Sequence, residues 1–163
     1  MPALPEHEAR SGTRRLGGWL ARVFTSRSGA TAVEFALIAP ALLLIMGAIV
    51  DFGVTMNNYV ELTDAVRVGA RQFVLSGASA TPKSSATTAI DNAAPNLTAG
   101  SITVTYSVNG ASCTTDTACA TALAADVGDT ATITATYPCS APVGGVTVLS
   151  GCTLTSTTTE MVE

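Results

Sequence analysis

Hydrophobic residues form one long run near the start of the chain. Between Ala30 and Val50 the only ionisable side chain is that of Glu34. As a helix, a run of this length spans about 30 Å, which is roughly the hydrocarbon thickness of a bilayer. Buried core helices and the apolar regions of secretory signals usually have shorter apolar runs. The pattern therefore predicts a transmembrane helix at residues 30–50.

The helical period does not stop where the apolar run ends. Apolar side chains keep recurring every three or four residues, and polar side chains mostly occupy the other face. These apolar residues are Tyr59, Leu62, Val66, Ala70 and Phe73. No proline interrupts residues 51–76, so we expect one helix from about residue 30 to about 75, kinked or loosened at Pro40. Its amphipathic second half must pack against the C-terminal domain or a neighbouring copy.

After residue 76 the pattern changes to short segments separated by glycine and proline. Ser84–Ala94 is predicted to be a short helix that ends before Pro95. Three later segments alternate apolar and polar residues as strands do. They are Ser101–Val108, Thr130–Tyr137 and Cys152–Met161, and Val146–Leu149 is a candidate for a further short strand. We expect an α+β fold in which a small antiparallel sheet covers the amphipathic half of the long helix.

The sign of the charge changes along the chain. Its 163 residues carry a formal net charge of −4. Residues 1–29 hold five arginines against two glutamates, a net of +3, whereas residues 30–163 hold three cations against ten carboxylates, a net of −7. Basic residues before a span predict that the N-terminus stays in the cytoplasm and that the rest is exported. An acidic exported part argues against nucleic-acid binding.

These patterns predict four regions. They are a basic cytoplasmic leader at 1–29, the transmembrane helix at 30–50, its amphipathic continuation at 51–76 and a small exported β-rich domain at 77–163. Within the leader, residues 14–27 form either a short basic amphipathic helix suited to an anionic membrane surface or only a basic flank that sets the topology.

All four cysteines follow the apolar run, at Cys113, Cys119, Cys139 and Cys152. An even number of cysteines on the exported side predicts two disulfides. A zinc site is the competing interpretation, but the chain has no Cys-x-x-Cys pair, and its single histidine, His7, precedes the span. Sequence neighbours favour the pairs Cys113–Cys119 and Cys139–Cys152, and the other pairings stay open.

Candidate catalytic residues are scarce. The single histidine lies in the N-terminal flank, so the sequence offers no Ser/His/Asp set. The Gly17-Gly18 and Gly144-Gly145 pairs lack the surrounding pattern of a phosphate-binding loop. We therefore predict no enzymatic activity, no cofactor, no metal and no small-molecule substrate.

One constellation remains at the head of the apolar run. A basic flank precedes Gly29, and four small or apolar residues separate Gly29 from Glu34 and Phe35. This arrangement resembles the processing site of type IV pilin precursors. The resemblance implies that a membrane aspartic peptidase, the prepilin peptidase, cuts between Gly29 and Ala30. Glu34 then becomes the fifth residue of the mature chain.

A longer pattern makes the resemblance more specific. The chain resembles the TadE-like pseudopilins of tight-adherence (Flp) pilus systems in Gly29-Ala-Thr-Ala-Val-Glu-Phe-Ala-Leu-Ile-Ala-Pro40, Asp51-Phe52-Gly53 and Ala65-Val-Arg-Val-Gly-Ala-Arg71. The resemblance covers about residues 28–75. It implies a minor pilin with a type IV pilin-like fold, a structural subunit that helps to initiate or tip the pilus.

The same resemblance implies partners and a location. The implied partners are the prepilin peptidase, other major and minor pilins, a cytoplasmic assembly ATPase, inner-membrane platform proteins and an outer-membrane secretin. The implied location is the inner membrane, crossed once, with the C-terminal domain in the periplasm or carried into the pilus at the cell surface.

Cleavage would give Glu34 a physical role. It leaves a positive amine on Ala30, and when helices stack with an axial offset, Glu34 of one subunit reaches the amine of its neighbour. The alternative is that Glu34 lies at the headgroup level and is solvated. Two other functions also stay open. One is a membrane-anchored adhesive or interaction domain without a pilus role, and the other is a secreted protein whose signal is cut near Asp51.

Overall fold

A long helix, α1, dominates the fold. The computed structural model describes residues 27–98, 100–139, 142–143, 146–147 and 151–163. The predicted leader therefore lies outside the described residues except at its end, and so does nearly all of the amphipathic segment predicted within it. The helix α1 spans Arg27–Leu75 and continues through Pro40. The chain divides into two compact units, Met1–Leu43 and Leu44–Glu163.

The second unit combines α1 with two short helices and a small sheet. The elements after α1 are α2 (Pro82–Ala93), β1 (Thr103–Val108), β2 (Ala111–Cys113), α3 (Asp116–Ala125), β3 (Thr130–Cys139), β4 (Pro142–Val143), β5 (Val146–Thr147) and β6 (Cys152–Met161). Four strands form an antiparallel sheet in the order β2-β1-β3-β6, and β4 pairs with β5. The predicted α+β fold is confirmed.

Three of these elements were not predicted from the sequence: β2, α3 and the two-residue strand β4. The strand β2 follows β1 through a tight turn in which Asn109 and Gly110 both have positive φ, 49° and 78°. The helix α3 begins after Thr115, whose side-chain oxygen accepts a hydrogen bond from the backbone N–H of Ala118 at 3.2 Å. This side chain satisfies one of the backbone donors that every helix N-terminus leaves open.

The core lies between the sheet and the second half of α1. Side chains from α1 meet the apolar face of the two central strands, as the alternation predicted. The buried residues include Leu62, Val66, Ala70 and Phe73 on α1 and Tyr106, Val108, Ala131, Ile133 and Ala135 on the sheet. The rings of Phe73 and Tyr106 lie 5.0 Å apart between centroids. Tyr59, predicted to share the apolar face, is 39% exposed and lies outside this core.

The hydroxyl of the buried Tyr106 contacts α2. Its oxygen lies 2.7 Å from the hydroxyl oxygen of Thr87. Burial raises the pKa of Tyr106, because the charged form would lose its hydration; the hydrogen bond with Thr87 acts in the opposite direction. The fold therefore favours the neutral tyrosine, which keeps its polar tip bonded while its ring packs on Phe73.

The helices α1 and α2 approach each other closely at Gly69. A Cβ atom added to Gly69 would overlap Cγ1 of Ile90 and would lie 2.7 Å from Cδ1 of Ile90 and 3.3 Å from the backbone oxygen of Ala86. Ile90 and Ala86 are fully buried, so neither has free space to move into. The missing side chain of Gly69 therefore makes room for α2.

We expect Gly69→Ala to destabilise the second unit. Overpacking typically costs about 1–3 kcal/mol, which exceeds the roughly 0.5–1 kcal/mol that alanine gains over glycine inside a helix. Urea unfolding of the full chain in detergent, followed by circular dichroism, measures the change. The matched control is Gly53→Ala, because nothing lies within 4 Å of a Cβ at that position. An unchanged or higher midpoint for Gly69→Ala would show that α2 does not pack this tightly.

Both disulfide pairings favoured by the sequence are present. Cys113–Cys119 joins the end of β2 to the first turn of α3, with 5.1 Å between the Cα atoms. Cys139–Cys152 joins β3 to β6 at positions that lie directly opposite each other in the ladder, also with 5.1 Å between the Cα atoms. The first bond thus fixes α3 onto the sheet, and the second closes the segment between β3 and β6.

Candidate assembly site on the long helix

The predicted cleavage site lies in the first described residues of α1. The helix is described from Arg27 onward, so Gly29 and Ala30 are both helical. Gly29 is half-buried and Ala30 is exposed. Glycine is among the weaker helix formers, so Gly29 lowers the stability of the helix next to the peptide bond between Gly29 and Ala30.

Glu34 lies one turn after Ala30 on the same helix. Residues four apart share one face, so Ala30 and Glu34 point to the same side of α1. Glu34 is exposed, and among the residues that the structure describes its carboxylate has no hydrogen bond or ion pair. The carboxylate is thus available to a group beyond the described residues.

The surface around Glu34 is apolar. The large apolar side chains of the run from Val33 to Ile49 are between about half and three quarters exposed. They include Val33 at 53%, Phe35 at 67%, Leu37 at 76%, Ile38 at 56%, Leu43 at 68% and Ile49 at 65%. Within the described residues, Gly29–Leu75 is the one helix long and apolar enough to cross a membrane, and its most apolar window has a mean hydropathy of 2.4 with none of it buried. This helix indicates single-pass membrane anchoring.

The exposed apolar surface continues beyond the predicted end of the span. Phe52 is 67% exposed, Met56 44% and Val60 55%, whereas Leu62, two residues later, is fully buried in the core. The span of 30–50 and the other three predicted regions stay predictions. The structure adds that exposed apolar side chains continue along α1 to Val60, and that Val68 and Leu75 are exposed beyond it.

Glu61 has a role that the sequence did not reveal. Its two carboxylate oxygens accept hydrogen bonds from the backbone N–H of Asn96 at 2.8 Å and from Asn96 Nδ2 at 3.1 Å. Periodicity placed Glu61 on the polar face of α1, but no local pattern connects it with a residue 35 positions away. This contact fixes the segment after α2 to α1 at the point where the core begins.

A second polar contact ties α2 to α3. The Asp116 carboxylate accepts hydrogen bonds from the hydroxyl and the backbone N–H of Ser84, and Lys83 Nζ donates to the Thr114 carbonyl at 2.8 Å. The hydrogen bonds from Ser84 lower the pKa of Asp116, because they favour its charged form. These contacts position α3 rather than forming a reactive site. Among the described residues, no group of three or more His, Cys, Asp or Glu side chains could hold a metal ion.

Comparison with protein families identifies the segment that holds these residues. Residues 29–71 match the family model of the TadE-like proteins. The matched segment includes Gly29, Ala30, Glu34 and Gly69, and it stops before α2 and the sheet. The resemblance predicted from the sequence is confirmed over this segment. Searches of curated proteins and of solved structures found no match to the chain.

Proposed function

From the TadE-like segment at residues 29–71, which implies a pilin-like protein associated with a Tad pilus, we propose that this chain is a minor pilin. It is made as a precursor, cut between Gly29 and Ala30 by a prepilin peptidase, and assembled through Glu34. The observation that carries the proposal is the exposed carboxylate of Glu34, which has no partner among the described residues and lies in an apolar helix five residues after Gly29. The TadE-like family is structural and not enzymatic.

The leader sets the orientation of the precursor, and the span inserts it into the membrane. The five arginines of residues 1–29 hold the N-terminus in the cytoplasm while α1 enters the inner membrane and the C-terminal domain reaches the periplasm. Cleavage after Gly29 removes this charge and leaves one positive amine on Ala30. The mature chain then presents an amine and a carboxylate one helical turn apart.

Pairing between subunits then sets their register. A carboxylate within an apolar run costs roughly 2.5–3.5 kcal/mol on translocon scales, so Glu34 is costly until it finds a cation. When a neighbouring pilin helix packs with the correct axial offset, Glu34 meets the terminal amine of that neighbour. A misplaced helix leaves both charges buried without partners, which is strongly unfavourable. The pair therefore selects one offset among pilin subunits on the assembly platform.

Blocking cleavage tests the proposal. Leucine at position 29 is too bulky for a site that accepts glycine, so we expect Gly29→Leu to accumulate as full-length precursor, while Gly29→Ala, the matched small substitution, is still cut. Intact-mass measurement of the purified protein decides the outcome. Trp19 is the only tryptophan, so a chain cut after Gly29 also loses its tryptophan fluorescence. Normal cutting of Gly29→Leu would exclude this bond as the processing site.

The N-terminus of the mature wild-type protein separates the three functions considered. Ala30 at the N-terminus supports the minor pilin. Met1 would favour a membrane-anchored adhesive or interaction domain without a pilus role. An N-terminus near Asp51 would instead indicate a secreted protein cut by ordinary signal peptidase.

A further inference from the structure

The strand β6 forms one edge of the four-stranded sheet. It pairs with β3 over ten consecutive positions, from Cys152 opposite Cys139 to Met161 opposite Thr130. On its other side β6 has no strand partner among the described residues. Such an edge presents a row of backbone N–H and C=O groups that can pair with another strand.

Hydrogen bonds between β1 and β3 show how the ladder is oriented. The N–H of Asn109 donates to the carbonyl of Thr130 at 2.8 Å, and the hydroxyl of Ser107 donates to the carbonyl of Thr132 at 3.3 Å. These β3 carbonyls therefore point toward β1. Backbone groups alternate in direction along an antiparallel strand, so the residues between them point toward β6.

The same alternation identifies the β6 residues that face away from the sheet. Ile133 lies opposite Thr158 and Ala135 lies opposite Ser156, and these are the hydrogen-bonded pairs of β3 and β6. The intervening β6 residues turn their backbone groups to the open side. These residues are Thr153, Thr155, Thr157, Thr159 and Met161, and all five side chains are exposed on one face of the sheet.

The two edges of the sheet differ in how they are protected. At one edge, β2 has only three residues, and the Cys113–Cys119 disulfide ties its end to α3. Native edges are commonly blunted by short strands, lysine, proline or bulges. The strand β6 has no lysine, no proline and no break in its register, and its single charged residue is Glu160. Among the described residues, β2 pairs only with Tyr106–Val108 of β1, so a short open stretch remains there, whereas β6 is open along all ten of its residues.

We propose that β6 pairs with β6 of a second copy of this protein, antiparallel and centred on Thr157. Two four-stranded sheets then become one continuous sheet. In this register Thr157 lies opposite itself, and Thr155 lies opposite Thr159 of the second copy. Threonine hydroxyls already pair across β3 and β6: the Oγ1 atoms of Thr134 and Thr157 lie 3.0 Å apart, and so do those of Thr132 and Thr159. The proposed pairing continues this row of threonine pairs into the second copy.

The charge and side chains of β6 favour its own copy as the occupant. With Thr157 at the centre, each Glu160 lies opposite Leu154 of the other copy, and the two carboxylates are kept near opposite ends of the paired strands. A parallel, in-register pairing would set the two Glu160 residues side by side, and like charges in that position are destabilising. Threonine pairs across neighbouring strands are favourable, and this register supplies them on the exposed face.

The symmetry of this pairing determines the relative direction of α1 in the two copies. The two-fold axis of an antiparallel strand pair is perpendicular to the sheet, so it reverses every direction in the plane of the sheet. The second unit includes α1 from Leu44 onward, which packs on the sheet and is reversed with it. Its exposed apolar residues between Leu44 and Val60 therefore lead in opposite directions from the two copies, so copies that insert this stretch into a bilayer are expected to meet at β6 from facing membranes. This contact depends on membrane anchoring but not on cleavage or pilus assembly.

Vesicle clustering tests the pairing. The full chain is reconstituted into phosphatidylcholine vesicles, and clustering is followed by light scattering. We expect wild-type vesicles to cluster and Thr157→Pro vesicles to scatter like protein-free vesicles. Proline at this position removes an N–H that faces outward and keeps the ladder with β3, as edge strands permit. The matched control Thr157→Ala keeps the N–H and should cluster as wild type does. An unchanged urea midpoint confirms that each variant is folded.

A charge exchange tests the register without proline. Vesicles with Thr155→Lys and Thr159→Lys place lysine opposite lysine and should not cluster, and neither should vesicles with glutamate at both positions. A mixture of the two should cluster, because each lysine then meets a glutamate. The same substitutions at Thr103 and Thr105, exposed on the same face but on β1, which β3 separates from β6, should cluster with or without mixing.

Three results would overturn the proposal. The first is a lack of clustering by wild-type vesicles, which would also be the result when β6 takes a strand from a different protein. The second is clustering that persists in folded Thr157→Pro. The third is equal behaviour of the lysine vesicles alone and of the mixture. None of these results bears on cutting after Gly29, so the minor-pilin proposal stands or fails separately.

Discussion

Replacing Phe73 with alanine is expected to lower the free energy of unfolding of the second unit by about 3–5 kcal/mol, the usual cost of emptying a buried phenylalanine site. Phe73 is fully buried, and its ring packs 5.0 Å from that of Tyr106 between centroids. The loss is large for a small unit, because whole domains are stabilised by only about 5–15 kcal/mol. Urea unfolding of the full chain in detergent measures it.

Phe52→Ala is the matched control, since it removes the same side chain from the same helix. Phe52 is 67% exposed and lies before the core begins, so its removal should leave the unfolding midpoint unchanged. Equal losses for the two variants would mean that α1 does not pack on the sheet through Phe73. Phe73→Leu, which fills most of the space, should fall between wild type and Phe73→Ala.

Replacing Glu34 with leucine is expected to abolish assembly with other pilins while the protein stays stable, cut and membrane-bound. Removing the carboxylate makes the span more apolar. The free energy of membrane insertion should become more favourable, by roughly 2.5–3.5 kcal/mol for an acid at the centre of a helix. In the proposed pairing the Ala30 amine loses its cross-subunit partner, and an uncompensated buried charge typically costs about 3–5 kcal/mol. Pull-down of the mature variant with pilin partners measures the loss.

Glu34→Gln separates charge from shape at the same position. It should also assemble poorly when pairing of charges sets the register, and well when a single hydrogen bond is enough. The same extracts show whether each variant was cut after Gly29, so a failure of processing is not mistaken for a failure of assembly. Recovery of mature Glu34→Leu with its partners at wild-type yield would mean that Glu34 is a solvated interfacial residue.

The sequence predicted the elements that have a clear period. The apolar and amphipathic halves of α1 repeat every three or four residues, and β1, β3 and β6 alternate, so their faces could be assigned before the structure was known. In the structure β1 starts at Thr103 rather than Ser101, and β3 continues to Cys139 rather than ending at Tyr137. These differences in strand ends do not change the assignment of faces, because the alternation itself determines which side chains face the core.

Elements without a period were missed. The residues of α3 are mostly alanine and threonine, which do not distinguish a buried face from an exposed one. Two local signals could have found α3 and β2. Thr115 is a suitable N-cap for a helix that starts at Asp116, and Asn109-Gly110 is the preferred pair for a two-residue hairpin turn, which predicts a strand at β2.

The candidate site also has a part that the sequence predicts and a part that only the structure reveals. Gly29, Ala30 and Glu34 are recognisable from the sequence, because their spacing relative to the apolar run is local. The contacts of Glu61 with Asn96 and of Gly69 with Ile90 join residues that lie far apart in the chain. No local pattern encodes such contacts, so only the folded structure reveals them.

The burial of one disulfide fixes an order of events during maturation. Cys119 is fully buried and Cys113 is 6% exposed, so no thiol oxidase reaches this pair once the core has closed around it. Oxidation must therefore come before the last stage of packing, while β2 and α3 are still accessible. A chain that collapsed in a reducing compartment would enclose two thiols instead of a bond. If the C-terminal domain is exported as proposed, completion of the sheet is coupled to its arrival in an oxidising compartment.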